Sequence, residues 1–382
     1  MNTLTTESSD SSSLDVAASA IQPQIVRVST DSAGVQGNSD SRSAAISADG
    51  RYVAFDSHAR NLVAGDTYGY QNVFVKDLQT GVTTRVSTNS AGAQANNDSA
   101  SPAISADGRY VAFWSIATDQ VAADTNGTSD IFVKDLQTGA TTRVSTDSAG
   151  VQGNGFSFAK HDLSADGRYV AFYSEASNLV AGDTNGILDV FVKDLQTGAT
   201  TRVSTDSAGA QANYYSYSPV LSADGRYVAF FSGASNLAVG DTELDTTDVF
   251  VKDMQTGVTA WVSTYSTGGF HGYSPAISAD GRLVAFPSTA SKLVVGDTNG
   301  YSDIFIKDLQ MGTTTRASTD NAGAQANENS FYDTTLSADG RFVAFTSYAS
   351  NLVAGDTNGA ADIFVKDLQT GATALVSASS AG

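Results

Sequence analysis

The pentapeptide Ser-Ala-Asp-Gly-Arg occurs six times in this chain, with its aspartate at Asp49, Asp107, Asp166, Asp224, Asp280 and Asp339. Successive copies lie 58, 59, 58, 56 and 59 residues apart. So even a period marks an array of one supersecondary unit, and such a unit has to bury its apolar faces against its neighbours. What a single unit can form therefore decides what the whole chain can form.

The second unit shows the pattern most clearly. Apolar runs predict strands at Pro102–Ser105, Tyr110–Ser115, Ile131–Asp135 and Thr141–Thr146. Asp107-Gly108 and Gln137-Thr138-Gly139 supply the turns of two hairpins, with a longer loop between the hairpins. Runs such as Tyr-Val-Ala-Phe and Ile-Phe-Val are apolar on both faces, as expected of a sheet packed between two other sheets. No segment carries a sustained helical period. Four strands per unit favour a ring of blades over an open solenoid, so the expected fold is all-β: a six-bladed β-propeller of four-stranded antiparallel blades over residues 23–382. Residues 1–22, rich in Ser and Thr, are expected to be a disordered polar segment.

Closure of the ring is left open by the sequence. The fourth-strand pattern appears at both ends, as Ile25–Thr30 and as Thr373–Ser377, one copy more than six blades require. Either copy could complete the last blade, and an uncovered edge would invite another chain. Oligomeric state is undetermined at this level.

The recurring Asp-Gly-Arg turn, Tyr-Val-Ala-Phe, Asp-Ile-Phe-Val-Lys-Asp and Thr-Arg-Val-Ser together resemble TolB-like, WD-repeat-like propeller blades, from about residue 25 to residue 378. That resemblance implies the fold. It also implies a periplasmic or secreted setting, in which such blades serve in partner binding or as appendages to hydrolases, without fixing any chemistry.

Charge narrows the partners. Asp and Glu number 40 against 21 Lys and Arg, a net charge of −19, which repels nucleic-acid phosphates and anionic membrane surfaces. No apolar run approaches the ~18 residues that a helical span needs, so no membrane insertion is expected. The absence of cysteine excludes disulfides, thiolate metal sites and thiol nucleophiles. Met1 to Ala20 lacks the basic and apolar regions of a Sec-type signal peptide, and an extracellular or periplasmic location is expected on other grounds.

The loop between the second and third strands carries Asp-x-Asn-Gly-x-x-Asp. Complete copies are Asp124, Asn126 and Asp130; Asp183, Asn185 and Asp189; Asp297, Asn299 and Asp303; and Asp356, Asn358 and Asp362. Calcium takes six to eight oxygens from alternating loop positions, and a second carboxylate six residues on is more than a plain turn requires. The loop resembles a shortened form of the calcium loops in integrin-type propeller blades, which implies structural calcium. Unit one, with Asp66, Tyr68 and Asn72, and unit four, with Asp241, Asp245 and Asp248, depart from the pattern.

The connections into each first strand diverge and carry Phe156, Phe158, Tyr214, Tyr215, Tyr217, Phe270, Tyr273, Phe331 and Tyr332. Aromatics beside acids and amides suit a protein or glycan ligand, although rings that plug the channel or pack between blades would give the same pattern. Catalytic constellations are thin. His58, His161 and His271 stand in different units, and the repeated serine of Ser-Ala-Asp-Gly-Arg reads as turn chemistry. The leading expectation is a non-catalytic, calcium-stabilised scaffold binding a protein or glycan through its loop face. A metal-free TolB-like interaction scaffold and a carbohydrate-active hydrolase or lyase are the alternatives.

Overall fold

The computed structural model describes residues 26–242, 244, 246–263 and 275–377. Residues 1–22 lie outside that range, as do Phe270, His271 and Tyr273. Six four-stranded antiparallel sheets follow one another along the chain, each in simple sequential strand order, and no helix occurs among the described residues. This is a six-bladed all-β propeller. First strands of successive blades touch one another, so they line the axis and the short fourth strands lie outermost.

In blade two the strands are Ser99–Ile104, Tyr110–Ser115, Asp130–Asp135 and Thr141–Arg143. The first strand starts three residues before the sequence-based expectation. A register shift between Ala100 and Ala103, with Ser101 at φ 55°, hides the continuity of that strand from an alternation argument. The fourth strand stops at Arg143. Beyond it the backbone turns away, and Val144 N donates to Ile131 O at 2.7 Å before the chain moves on to the next blade.

The Ser-Ala-Asp-Gly-Arg motif staples the short-turn face. Ser105 Oγ donates to Asp107 Oδ1 at 2.6 Å, and Tyr110 N donates to Ser105 Oγ. Arg109 reaches the neighbouring hairpin with a two-pronged pair to Asp135, Nε to Oδ1 at 3.0 Å and Nη2 to Oδ2 at 2.8 Å. The guanidinium holds the Asp135 carboxyl well below the usual carboxylate range, helped by the Gln137 and Thr138 amides. Equivalent pairs recur at Arg51 with Asp77, Arg168 with Asp194, Arg226 with Asp253, Arg282 with Asp308 and Arg341 with Asp367.

Neighbouring blades are sealed by apolar clusters and by one backbone bond. Between blades one and two, Ala54, Val73, Val75 and Val86 pack on Val111, Phe113 and Phe132. The alanine of each pentapeptide donates to the same alanine of the next blade: Ala48 N to Ala106 O, then Ala106 to Ala165, Ala165 to Ala223, Ala223 to Ala279 and Ala279 to Ala338, at 2.9 to 3.1 Å. Among the described residues, no bond runs from Ala338 N to Ala48 O. On the closure question, blade six is completed by its own Thr373–Leu375, and residues 26–30 form no strand of that sheet.

Candidate functional site

The two faces of the ring differ in what they offer. On the short-turn face, grooves at four junctions share one lining, for example Tyr52, Val75, Asp77, Gly108, Arg109 and Gln137 between blades one and two. Their repetition makes them a product of blade geometry. The repeated serines there are committed to the turn, as Ser47 Oγ is to Asp49 Oδ1. Long loops occupy the opposite face, where the loop after the second strand meets the connection into the next blade: Gln152 Nε2 donates to Asp124 Oδ1 at 2.9 Å, and Asn126 Nδ2 to Gly153 O at 3.0 Å.

The Asp-x-Asn-Gly-x-x-Asp loops do bring their carboxylates together, but an arginine from the fourth strand enters the same space. Arg143 lies 3.1 Å from Asp124 and 3.5 Å from Asp130. Arg202 is 3.6 Å from Asp183 and 3.3 Å from Asp189, and Arg316 is 3.4 Å from Asp297 and 3.0 Å from Asp303. Blade one follows the same plan, with Arg85 at 3.2 Å from Asp66. Burial raises the carboxyls of Asp130, Asp189 and Asp303, opposed by the serine that donates to each, Ser145, Ser204 and Ser318, and by the arginine.

In these four blades the donor set does not fit calcium, because a buried guanidinium already faces the carboxylates and would repel a second cation. The asparagines contribute as turn formers and donors: Asn126 Oδ1 accepts from Thr128 N, and Asn185 and Asn299 donate to the backbone carbonyls of Ala212 and Ala326. Among the described residues no group of three or more acidic or histidine side chains forms a metal cluster. Trp261 and Leu375 stand at the arginine position in blades four and six. In blade six, Asn358 Nδ2 donates to Asp362 Oδ2 at 2.8 Å, and Leu375 takes the place of the arginine. Asp245 of the fourth unit lies outside the described residues. The signal for the arginine was present in the sequence. Each of these arginines follows the second Asp of its loop, or Asn72 in unit one, by 13 residues, and units four and six lack it.

The aromatic residues separate into two groups. Phe158 stacks on Tyr173 with centroids 5.0 Å apart, Tyr173 contacts Tyr217 at 6.5 Å, and Tyr217 contacts Phe231 at 5.8 Å, a row of rings across blades three and four. Trp114 joins by donating Nε1 to Ser157 O at 3.0 Å. Burial pushes the Tyr173 hydroxyl up to about 12, with the Tyr217 ring adding to the shift. Tyr214 packs into the cluster between blades three and four, edge-on to Tyr215 at 4.7 Å. Phe331 sits against Tyr348 at 5.7 Å, and Tyr332 belongs to the first strand of blade six.

Of the described aromatics in the connections, Phe156 and Tyr215 keep their rings in solvent, 49% and 42% exposed. They occupy one structural position in adjacent blades. The backbone carbonyl of each accepts from the residue just after the second strand of its own blade, Glu175 N and Gly233 N. In blades one, two and six that position holds Asp40, Asp98 and Asn329, whose carbonyls accept from His58, Ile116 and Tyr348. At this position the rim therefore carries an aromatic ring in blades three and four and an acid or amide in blades one, two and six.

Beneath the aromatic side, at the first strand of blade three, Asp162 takes Leu221 N from blade four at 2.8 Å and its neighbour Leu163 N at 2.9 Å. Burial raises this carboxyl to about 6 and lowers the adjacent His161 to about 4. His58 and His161 belong to different blades, and no nucleophile among the described residues is paired with either.

No family model matches the chain, and no curated protein matches it. Solved structures do. The β-propeller domain of the trilobed protease of Pyrococcus furiosus, described as having an open velcro topology, is 13% identical over 90% of this chain and 85% of that one, with a TM-score of 0.54. An oligogalacturonate lyase in complex with manganese is 16% identical over 86% of this chain and 74% of that one, TM-score 0.52. TolB from Acinetobacter baumannii is 19% identical over 73% of this chain, which spans 54% of its length, TM-score 0.42. At these identities the likeness shows a shared β-propeller fold and does not extend to chemistry.

Proposed function

We propose that this chain is a metal-free, non-catalytic interaction scaffold that receives a protein or glycan ligand on the long-loop face at blades three and four. The observation that carries this reading is the break in the repeat at Phe156 and Tyr215. A purely architectural position would keep the acid or amide found in blades one, two and six. Here two adjacent blades instead hold bare rings above a packed aromatic row. Large rings at a rigid rim give a ligand contact area at low cost in side-chain freedom, and the exposed Glu175 stands beside Phe156 for hydroxyl or amide groups. The acidic, cysteine-free composition suits a periplasmic or extracellular setting, which is part of the same proposal.

The test is a screen of oligosaccharides and peptides read by Trp114 fluorescence, with the Phe156→Ala/Tyr215→Ala variant as the comparison. A ligand whose affinity falls at least about tenfold in the variant, with the thermal midpoint kept, supports the reading. A ligand bound equally by both proteins places the site elsewhere.

A further inference from the structure

Five junctions of the ring are sealed, and the chain holds the two unsealed halves of a sixth. At each sealed junction the residue after the Asp-Gly-Arg turn lies over the glycine of the next blade. A Cβ added to Gly108 would overlap the Tyr52 ring, and Gly167, Gly225 and Gly281 are covered in the same way by Tyr110, Tyr169 and Tyr227, with Leu283 over Gly340. Phe342 of blade six has no such glycine beneath it and is 37% exposed, while the space over Gly50 of blade one is empty. The other blade-six counterparts of a sealed face are bare as well: Ile363 is 47% and Val376 55% exposed, where Val73 and Val86 are fully buried.

The linker is likewise divided. In a sealed junction one segment serves both blades: Val86 N donates to Val73 O of blade one, and two residues later Thr88 O accepts Thr141 Oγ1 of blade two at 2.6 Å. Before blade one, the second half is the one made among the described residues, with Thr30 O accepting Thr83 Oγ1 at 2.6 Å and Asp31 O accepting Lys76 Nζ at 2.8 Å. The first half appears at blade six, where Val376 N donates to Ile363 O and Ser377 Oγ to Asp362 Oδ1.

We infer that blade six of one copy docks on blade one of a second copy, head to tail, reproducing the sealed junction between molecules. The exposed rear face of blade six, the open Gly50 and the unbonded carbonyl of Ala48 are complementary halves of an interface that this chain already builds five times. Such an interface is heterologous, so it continues into chains or closes into a larger ring. Val28 and Val376 claim one place in the joined form, and one of them has to leave. That displacement keeps the association reversible and concentration-dependent.

Because the chain has no cysteine, cross-linking reads the contact cleanly. Ala48→Cys and Ala338→Cys are made separately, mixed and oxidised, alongside the double variant and sedimentation of the unmodified chain over a range of concentrations. The inference expects mixed disulfide dimers from the two single variants. It also expects oligomers in the unmodified chain that dissociate about tenfold more readily in Phe342→Asp, whose thermal midpoint checks that it is folded. Sedimentation as a monomer at every concentration overturns it, as does a double variant that cross-links only within one chain.

Discussion

The junction between blades one and two and the gap between blades six and one are built from the same sequence motifs, yet one is closed and the other is not. At the first, Tyr52 covers Gly108, Ala48 bonds Ala106, and Phe113 and Phe132 are fully buried. At the second, Phe342, Gly50 and Ala338 N have none of these partners among the described residues. Repetition of a motif therefore supplies both halves of an interface, and only the order of the blades in space decides which halves meet. A repeat array is stabilised mostly through such nearest-neighbour contacts, so substitutions at matched positions should report the difference directly.

The largest contrast is expected from a buried ring. Phe113→Ala in a sealed junction should cost about 3–5 kcal/mol by denaturant unfolding, whereas Phe342→Ala at the gap should cost under about 1 kcal/mol in dilute solution. Equal losses would mean that the gap is sealed. A second contrast holds backbone strain constant. Gly108 and Gly50 have φ of 73° and 70°, so alanine is strained at both. Only at Gly108 does the new methyl strike a ring, and the difference between the two variants, about 1–3 kcal/mol, isolates the packing.

The loop arginines give a comparison of the same kind between blades two and six. Arg143→Met leaves Asp124 and Asp130 buried without their cation, a loss of about 3–5 kcal/mol, whereas blade six already carries Leu375 at the arginine position, opposite Phe364. The melting temperature of the unmodified chain should be the same in calcium and in EDTA. A rise of several degrees with calcium would restore the metal reading.

The smallest expected effect concerns pH. The Arg–Asp staples hold their carboxyls below the unfolded value of about 3.8, so their contribution is complete above that pH and fades as pH falls below it. Asp162 acts in the opposite direction. With its carboxyl raised to about 6 it favours the folded state while protonated, and stability falls as pH rises from about 4 to 6. The neighbouring His161, lowered to about 4, offsets this, since the unfolded chain binds its proton more readily up to about 6.5. His161→Phe should therefore reveal a decline in thermal midpoint between pH 4 and 6 that the unmodified chain largely conceals.

Strand count, blade order and the stapling turns were legible because each rests on local chemistry repeated six times: the Asp-Gly turn, the doubly apolar runs and the Arg that follows. The loop site was half legible. Its carboxylates were visible as a spacing, but the cation facing them comes from a strand that joins the loop only when the third and fourth strands pair, Phe132 opposite Arg143. Aromatic roles were not separable in sequence, since Phe158 and Phe156 differ by two positions and yet one is stacked and the other is in solvent. Ring closure was beyond reach for a different reason. Val28 and Val376 are equally good copies of one strand end, and no local preference chooses between them.

Residue-resolved amide exchange on the dilute, monomeric chain tests the central asymmetry most directly. The amides of Ala48, Ala106, Ala165, Ala223 and Ala279, each bonded across a sealed junction, should exchange slowly, and that of Ala338 should exchange at the rate of an open turn. Protection of Ala338 equal to the other five would contradict the open junction on which the account rests.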